Sequence, residues 1–144
     1  MKTLTKSIFM PAIAAMTLLT AANVANAQNQ NRKNSRNMRL ANIEFILGNI
    51  DQTCYYLEQE LEKRPRNGYA YLYLGYLVIN DADLFEMTGY DITFPIECFD
   101  RAIEYLPMRD MEAIASASCY RKICYEYFNS SLKNMTNNTE EVFY

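Results

Sequence analysis

The chain has 144 residues, no histidine, and a formal net charge of −3 from 14 Lys and Arg against 17 Asp and Glu. Without imidazole it lacks the usual general base and the commonest zinc ligand. A mildly acidic balance gives no support to nucleic-acid binding.

The chain opens with a basic start at Lys2 and Lys6. An apolar run follows from Ile8 to Ala22, broken by Pro11, and Ala25-Asn26-Ala27 has the small-x-small form of a signal-peptidase site. The run is too short, and too close to the cut, for a membrane anchor. Residues 1–27 are therefore expected to be a signal peptide, and the mature chain to start at Gln28 and be exported, periplasmic or secreted. No Cys follows the cut, so a lipid anchor is not expected. No later segment is apolar for long enough to span a bilayer. Subtracting 27 from 144 leaves 117 residues, enough for one small domain. Losing Lys2 and Lys6 takes the net charge from −3 to −5.

Residues 28–37 are rich in Asn, Gln and Arg and read as a disordered lead-in. Its basic cluster, Arg32, Lys33, Arg36 and Arg39, reads as a solvated tether rather than a nucleic-acid or lipid contact. From about Asn37, Leu40, Ile43, Phe45, Ile46 and Leu47 predict a first helix, ended by Gly48-Asn49. Asp51 to Arg64 predicts a second helix, with Asp51 as its cap and Cys54, Leu57 and Leu61 as its apolar stripe. Lys63 and Arg64 suit its C-terminal dipole, and Pro65 forbids continuation. Asn67-Gly68 reverses the chain. A third helix runs from Tyr69 to about Asn80, antiparallel to the second across so short a turn. From Asp81 to Thr88 either that helix runs on or an irregular loop replaces its end. Phe94 to Leu106, with Pro95 near its start, predicts a fourth helix, closed by Pro107. Asp110 caps a fifth, from Met111 to about Phe128. Residues 129–144 read as a polar tail or an incomplete last helix.

An internal repeat organises these helices. Pro65 and Pro107 are 42 apart, and the same offset pairs Leu57 with Phe99, Leu61 with Ile103, Glu62 with Glu104 and Leu72 with Ile114. Gly48 at an inner turn, Pro65 after a second helix and Leu74-Gly75 in the next first helix resemble the tetratricopeptide repeat. Asp91, Phe99 and Ala102 resemble the related, longer Sel1-like repeats. Against a usual repeat of about 34, the second unit carries roughly eight extra residues between Leu77 and Pro95. Glu60 stands where the family expects a small residue, while Ala102 keeps that pattern.

The resemblance implies an all-α fold over residues 38–128. Antiparallel helical hairpins would stack there as a short tetratricopeptide-like solenoid of about five helices. It also implies an adaptor that binds a protein or peptide in its concave groove. The groove-facing positions would be Tyr69, Leu72, Tyr76, Ile79 and Asn80 in one unit, and Met111, Ile114, Ser118, Arg121 and Lys122 in the next. Tyr suits such a surface, with a large rigid ring and a polar tip, and Tyr69 and Tyr76 should then keep exposed surface. The competing reading makes these tyrosines packing between hairpins. Two and a half units leave an open C-terminal end, which favours self-association. The rival function is a structural subunit that docks on a larger helical array and has no groove of its own.

Catalytic and cofactor chemistry finds little support. Cys has no His partner, and the acids Glu58, Glu62 and Glu104 sit on helix faces, so no enzyme activity is expected. In Asp81-Ala-Asp83, with Glu86 and Asp91, only the first two keep the spacing of a calcium loop, so neither metal nor cofactor is expected. Asn129-Ser-Ser131, Asn134-Met-Thr136 and Asn137-Asn-Thr139 match the glycosylation pattern, in a tail where chance matches are expected. Cys54, Cys98, Cys119 and Cys124 form no Cys-x-x-Cys pair. Cys98 lies nine residues before Pro107 and Cys119 eleven after Met108, so an antiparallel hairpin would set them side by side. A Cys98–Cys119 disulfide is the favoured pairing, and four unpaired thiols is the alternative.

Overall fold

The structure, a computed structural model, describes residues 32–140, so the signal-peptide assignment lies outside the described residues. Among them six helices form, and no strand. The fold is all-α as expected, with one helix more than the sequence suggests. None of these helices is long and apolar enough to cross a membrane.

Helix α1 spans Arg36–Ile46. Ser35 caps it, its hydroxyl oxygen accepting from the Met38 N–H at 3.3 Å. The residues before it are therefore built into the fold. Lys33 and Ser35 are buried, which corrects the expectation of a disordered lead-in from Arg32 on. The end of α1 is set by Gly48, whose φ of 80° is left-handed, and by the Asn49 N–H donating to Glu44 O at 2.9 Å.

Helix α2 spans Ile50–Lys63. Asn49 holds the cap position, but its amide donates to Glu44 instead, at 2.7 Å. Asp51 is thus not the cap. It lies in the first turn, where a carboxylate still suits the dipole. The buried stripe is Thr53, Leu57 and Glu60, while Cys54 and Leu61 flank it half-buried. Pro65 acts as expected, driving Arg64 out of the α region, to φ −135° and ψ 78°.

Helix α3, Gly68–Asn80, is the axis of the molecule. Eleven of its 13 residues are buried, the mark of a helix wrapped on all sides. It packs on α2, on the short helix α4 (Ala82–Met87), on α5 (Thr93–Tyr105) and on α6 (Met111–Glu140). Two glycines set its closeness to α5. A Cβ on Gly68 would lie 2.6 Å from Leu106 N, and one on Gly75 would lie 2.9 Å from Phe99 Cε1.

Neither expectation for Asp81 to Thr88 holds as stated. Asp81 adopts an extended conformation, and its Oδ1 then caps α4 by accepting from Asp83 N and Leu84 N at 3.0 and 3.1 Å. In α5, Pro95, Cys98, Phe99 and Ala102 are buried. Asp110 caps α6 as predicted, accepting from Ala113 N at 3.2 Å. The repeat register places Leu57, Leu74, Phe99 and Ala102 in one core, with Leu61 and Ile103 half-buried against it. Residues 129–140 form no separate tail. Helix α6 continues through them to Glu140, 30 residues or about 45 Å.

Candidate functional site

The residues expected to line a groove do not share a surface, and two of them, Ile79 and Ile114, are half-buried against the core. Tyr69, Leu72, Tyr76 and Asn80 are all buried, so the expected exposure of Tyr69 and Tyr76 is corrected. The cause is the wrapping of α3: Tyr76 packs edge-on against Tyr120 of α6 at 5.5 Å, and Tyr120 against Phe99 of α5 at 5.6 Å. Burial pushes the phenols of Tyr69, Tyr73 and Tyr76 well above the ordinary range, and that of Tyr120 up to about 12. The groove positions of the next unit lie along α6. Met111 and Lys122 are exposed, and Ser118 and Arg121 are half-buried. Arg121 pairs with Asp100 at 2.8 Å, and Lys122 with Glu126 at 3.9 Å.

A buried polar network closes the end of α3 opposite to Asn80. Glu60 is 0 % exposed. Its carboxylate accepts from Ser35 Oγ at 2.7 Å, from Asn67 Nδ2 at 2.9 Å and from Arg64 Nη1 at 3.2 Å. Asn67 Nδ2 also donates to Arg32 O at 2.9 Å, and Asn67 Oδ1 caps α3 by accepting from Tyr69 N. Beside this group, Tyr69 Oη donates to Asp110 Oδ2 at 2.7 Å and Lys33 Nζ to the same oxygen at 3.1 Å, with the ammonium over the Tyr69 ring. Burial pushes the Asp110 carboxyl up, but the Tyr69 hydroxyl, the Ala113 N–H and Lys33 outweigh it and hold it below the usual range. These groups face one another. The network fixes the lead-in and two turns to each other and offers no reacting group to a substrate. Glu60 stood out in the sequence as the large acid at a small-residue position; its partners, up to 25 residues away, carried no local signal.

Large apolar side chains are exposed at several places, among them Ile46, Leu47, Met87 and Met108, and α6 carries a row of them. Its buried stripe is Ala113, Ala117, Tyr120 and Cys124, spaced four, three and four. The same spacing continues through Phe128, Ser131 and Met135, with Leu132 alongside. There it is exposed: Phe128 is 38 % exposed, Leu132 44 % and Met135 64 %. Where the stripe leaves the body, Tyr127 meets Phe85 at 6.5 Å, and Phe85 meets Tyr90 at 5.5 Å.

The cysteines are free thiols, which corrects the expected Cys98–Cys119 bridge. Cys98 faces the core while Cys119 is exposed, so equal distance from the turn does not bring their side chains together. Burial, then neighbouring Glu97, pushes Cys98 up to about 12, and burial pushes Cys124 up to about 11. Among the described residues no three acids or thiols are grouped to hold a metal ion. Comparison with protein-family models, with characterised proteins and with solved structures finds no match.

Proposed function

We propose that this chain is an exported helical adaptor that binds a protein partner, and that the exposed apolar stripe of α6 around Phe128 and Leu132 is its binding surface. The observation that carries the reading is one of continuity. The row that is core from Ala113 to Cys124 continues along α6 with the exposed Phe128 and Met135, interrupted by Ser131 and flanked by Leu132. A row of this kind on a helix fits the apolar face of another helix, which makes an amphipathic helix the element bound. The resemblance of Gly48, Pro65 and Leu74-Gly75 to tetratricopeptide repeats supports a binding role, and Ala25-Asn26-Ala27 supports export. Tyr69, Leu72, Tyr76 and Asn80 of α3 do not contribute, because they are interior.

A photo-crosslinking residue at Leu132 tests this in the exported fraction of cells that make the protein. One discrete heavier adduct is expected at position 132 and none at Glu112, which is exposed on the first turn of α6. Adducts at both positions, or at neither, refute the reading. An adduct of two copies formed in pure protein makes the occupant a second copy.

A further inference from the structure

At the C-terminal end of α3 lies a cavity of about 70 Å³, walled by Phe45, Ile50, Tyr76 and Leu77, with Asn80 and Asp81 as its polar residues. Asn80 is 9 % exposed. Its Nδ2 donates to Tyr76 O at 2.8 Å, and its Oδ1 is buried with no hydrogen-bond partner. Turning the amide over would set oxygen against the Tyr76 carbonyl, so the orientation is fixed and a lone acceptor remains. A buried acceptor left unmatched is costly, and native structures rarely leave one so. Asp81 adds a carboxylate whose Oδ1 already serves α4, with acceptor capacity to spare. Asp51 adjoins Ile50 in sequence, and Asp51 and Asp81 both act on the Cys54 thiol, so negative charge gathers at this end.

We propose that this cavity binds a primary alkylammonium group. The polar groups of the wall with capacity left, Asn80 Oδ1 and the Asp81 carboxylate, are acceptors. An ammonium is their complement, with three donors and no acceptor. The apolar walls take its methylenes, as lysine stems are taken elsewhere. A cavity of 150 Å³ holds benzene, so this one suits a chain of roughly three or four heavy atoms. That is the end of a lysine side chain or a small free amine. Burying the charge is costly in itself, and Asp81 is what offsets it. The site is separate from the α6 stripe, and its failure would leave the adaptor reading standing.

The test is a titration of the full chain with n-propylammonium chloride at constant ionic strength, following the methyl signals of Ile50 and Leu77 by NMR. Saturable shifts are expected. Affinity should be at least tenfold weaker for 1-propanol, and at least tenfold weaker in Asp81→Asn. Asn caps a helix as well as Asp does, so this variant keeps α4. No saturable shift in the unaltered protein overturns the proposal, because water alone then fills the site. Equal binding of 1-propanol, or undiminished binding by Asp81→Asn, overturns it as well. A lysine dipeptide with both ends blocked identifies the source. If it shifts the same signals, and its Nε-acetyl form does not, the ligand is a lysine side chain. If only propylammonium binds, it is a free amine.

Discussion

The buried carboxylate of Glu60 can be tested by the mildest substitution available, Glu60→Gln. Two donors reach it from buried side chains: Ser35 Oγ at 2.7 Å on Oε2 and Asn67 Nδ2 at 2.9 Å on Oε1. Each such bond to a charged acceptor is worth about 1.5–3 kcal/mol. Glutamine keeps one oxygen and turns an NH₂ toward the other donor. With its oxygen kept for Asn67, the NH₂ meets the Ser35 hydroxyl, which can accept as well as donate, so both bonds persist at neutral strength, about 1 kcal/mol each. Arg64 adds little, because its guanidinium is 46 % exposed and screened by water. The expected loss is therefore about 1–4 kcal/mol, or roughly 5–20 °C in Tm for a domain of this size.

The assay is urea unfolding followed by circular dichroism, with a thermal scan beside it. Ser35→Ala and the double variant complete a cycle whose coupling should be about 0.5–3 kcal/mol. A loss below about 0.5 kcal/mol, typical of surface sites, would refute the reasoning. Additive single losses would also refute it, since they would mean that Ser35 and Glu60 do not meet.

Two further predictions concern packing and charge. Gly75→Ala should destabilise by about 1–3 kcal/mol through overpacking against Phe99 and Cys98, each within 3.0 Å of the new Cβ. Gly68→Ala, which meets the Leu106 backbone at 2.6 Å, should cost more, and urea midpoints in the opposite order would overturn the close approach of α3 to α5. Asp110 is held below its ordinary value, so its contribution is present above the unfolded value of about 3.9 and is lost as pH falls through the folded one. Stability of the unaltered protein relative to Asp110→Asn should thus shrink on acidification below about pH 4, and a constant difference down to pH 2 would remove the Tyr69 and Lys33 interactions from the account.

What could be read from the sequence was whatever acts locally. Gly48, Pro65, Pro107 and the Asp110 cap mark breaks that depend on a few neighbouring residues, and the helix limits fall within a residue or two of them. Asp81 shows the edge of that legibility. Its side chain can cap, but whether α3 stops there depends on its backbone turning extended, which the sequence leaves open. The α3 tyrosines were ambiguous for a different reason. Spacing places Tyr69, Tyr73 and Tyr76 on one face, and only the packing of α6 decides that this face is interior. The length of α6 was missed because polar residues from Asn129 onward suggest a tail. Helix propensity there is ordinary, and no Gly or Pro interrupts it.

The two ends of α3 are treated oppositely, and this bears on where binding can occur. At Asn67 the polar side chains are fully buried and matched, by Glu60, Arg32 and the Tyr69 N–H. Removing any partner there leaves a buried group unmet, so this end is fixed to one arrangement. At Asn80 the same residue type sits with half of its amide satisfied, beside open volume and a carboxylate. Native folds rarely leave a buried acceptor in deficit, so a water, or the ammonium group proposed above, is expected to complete Asn80.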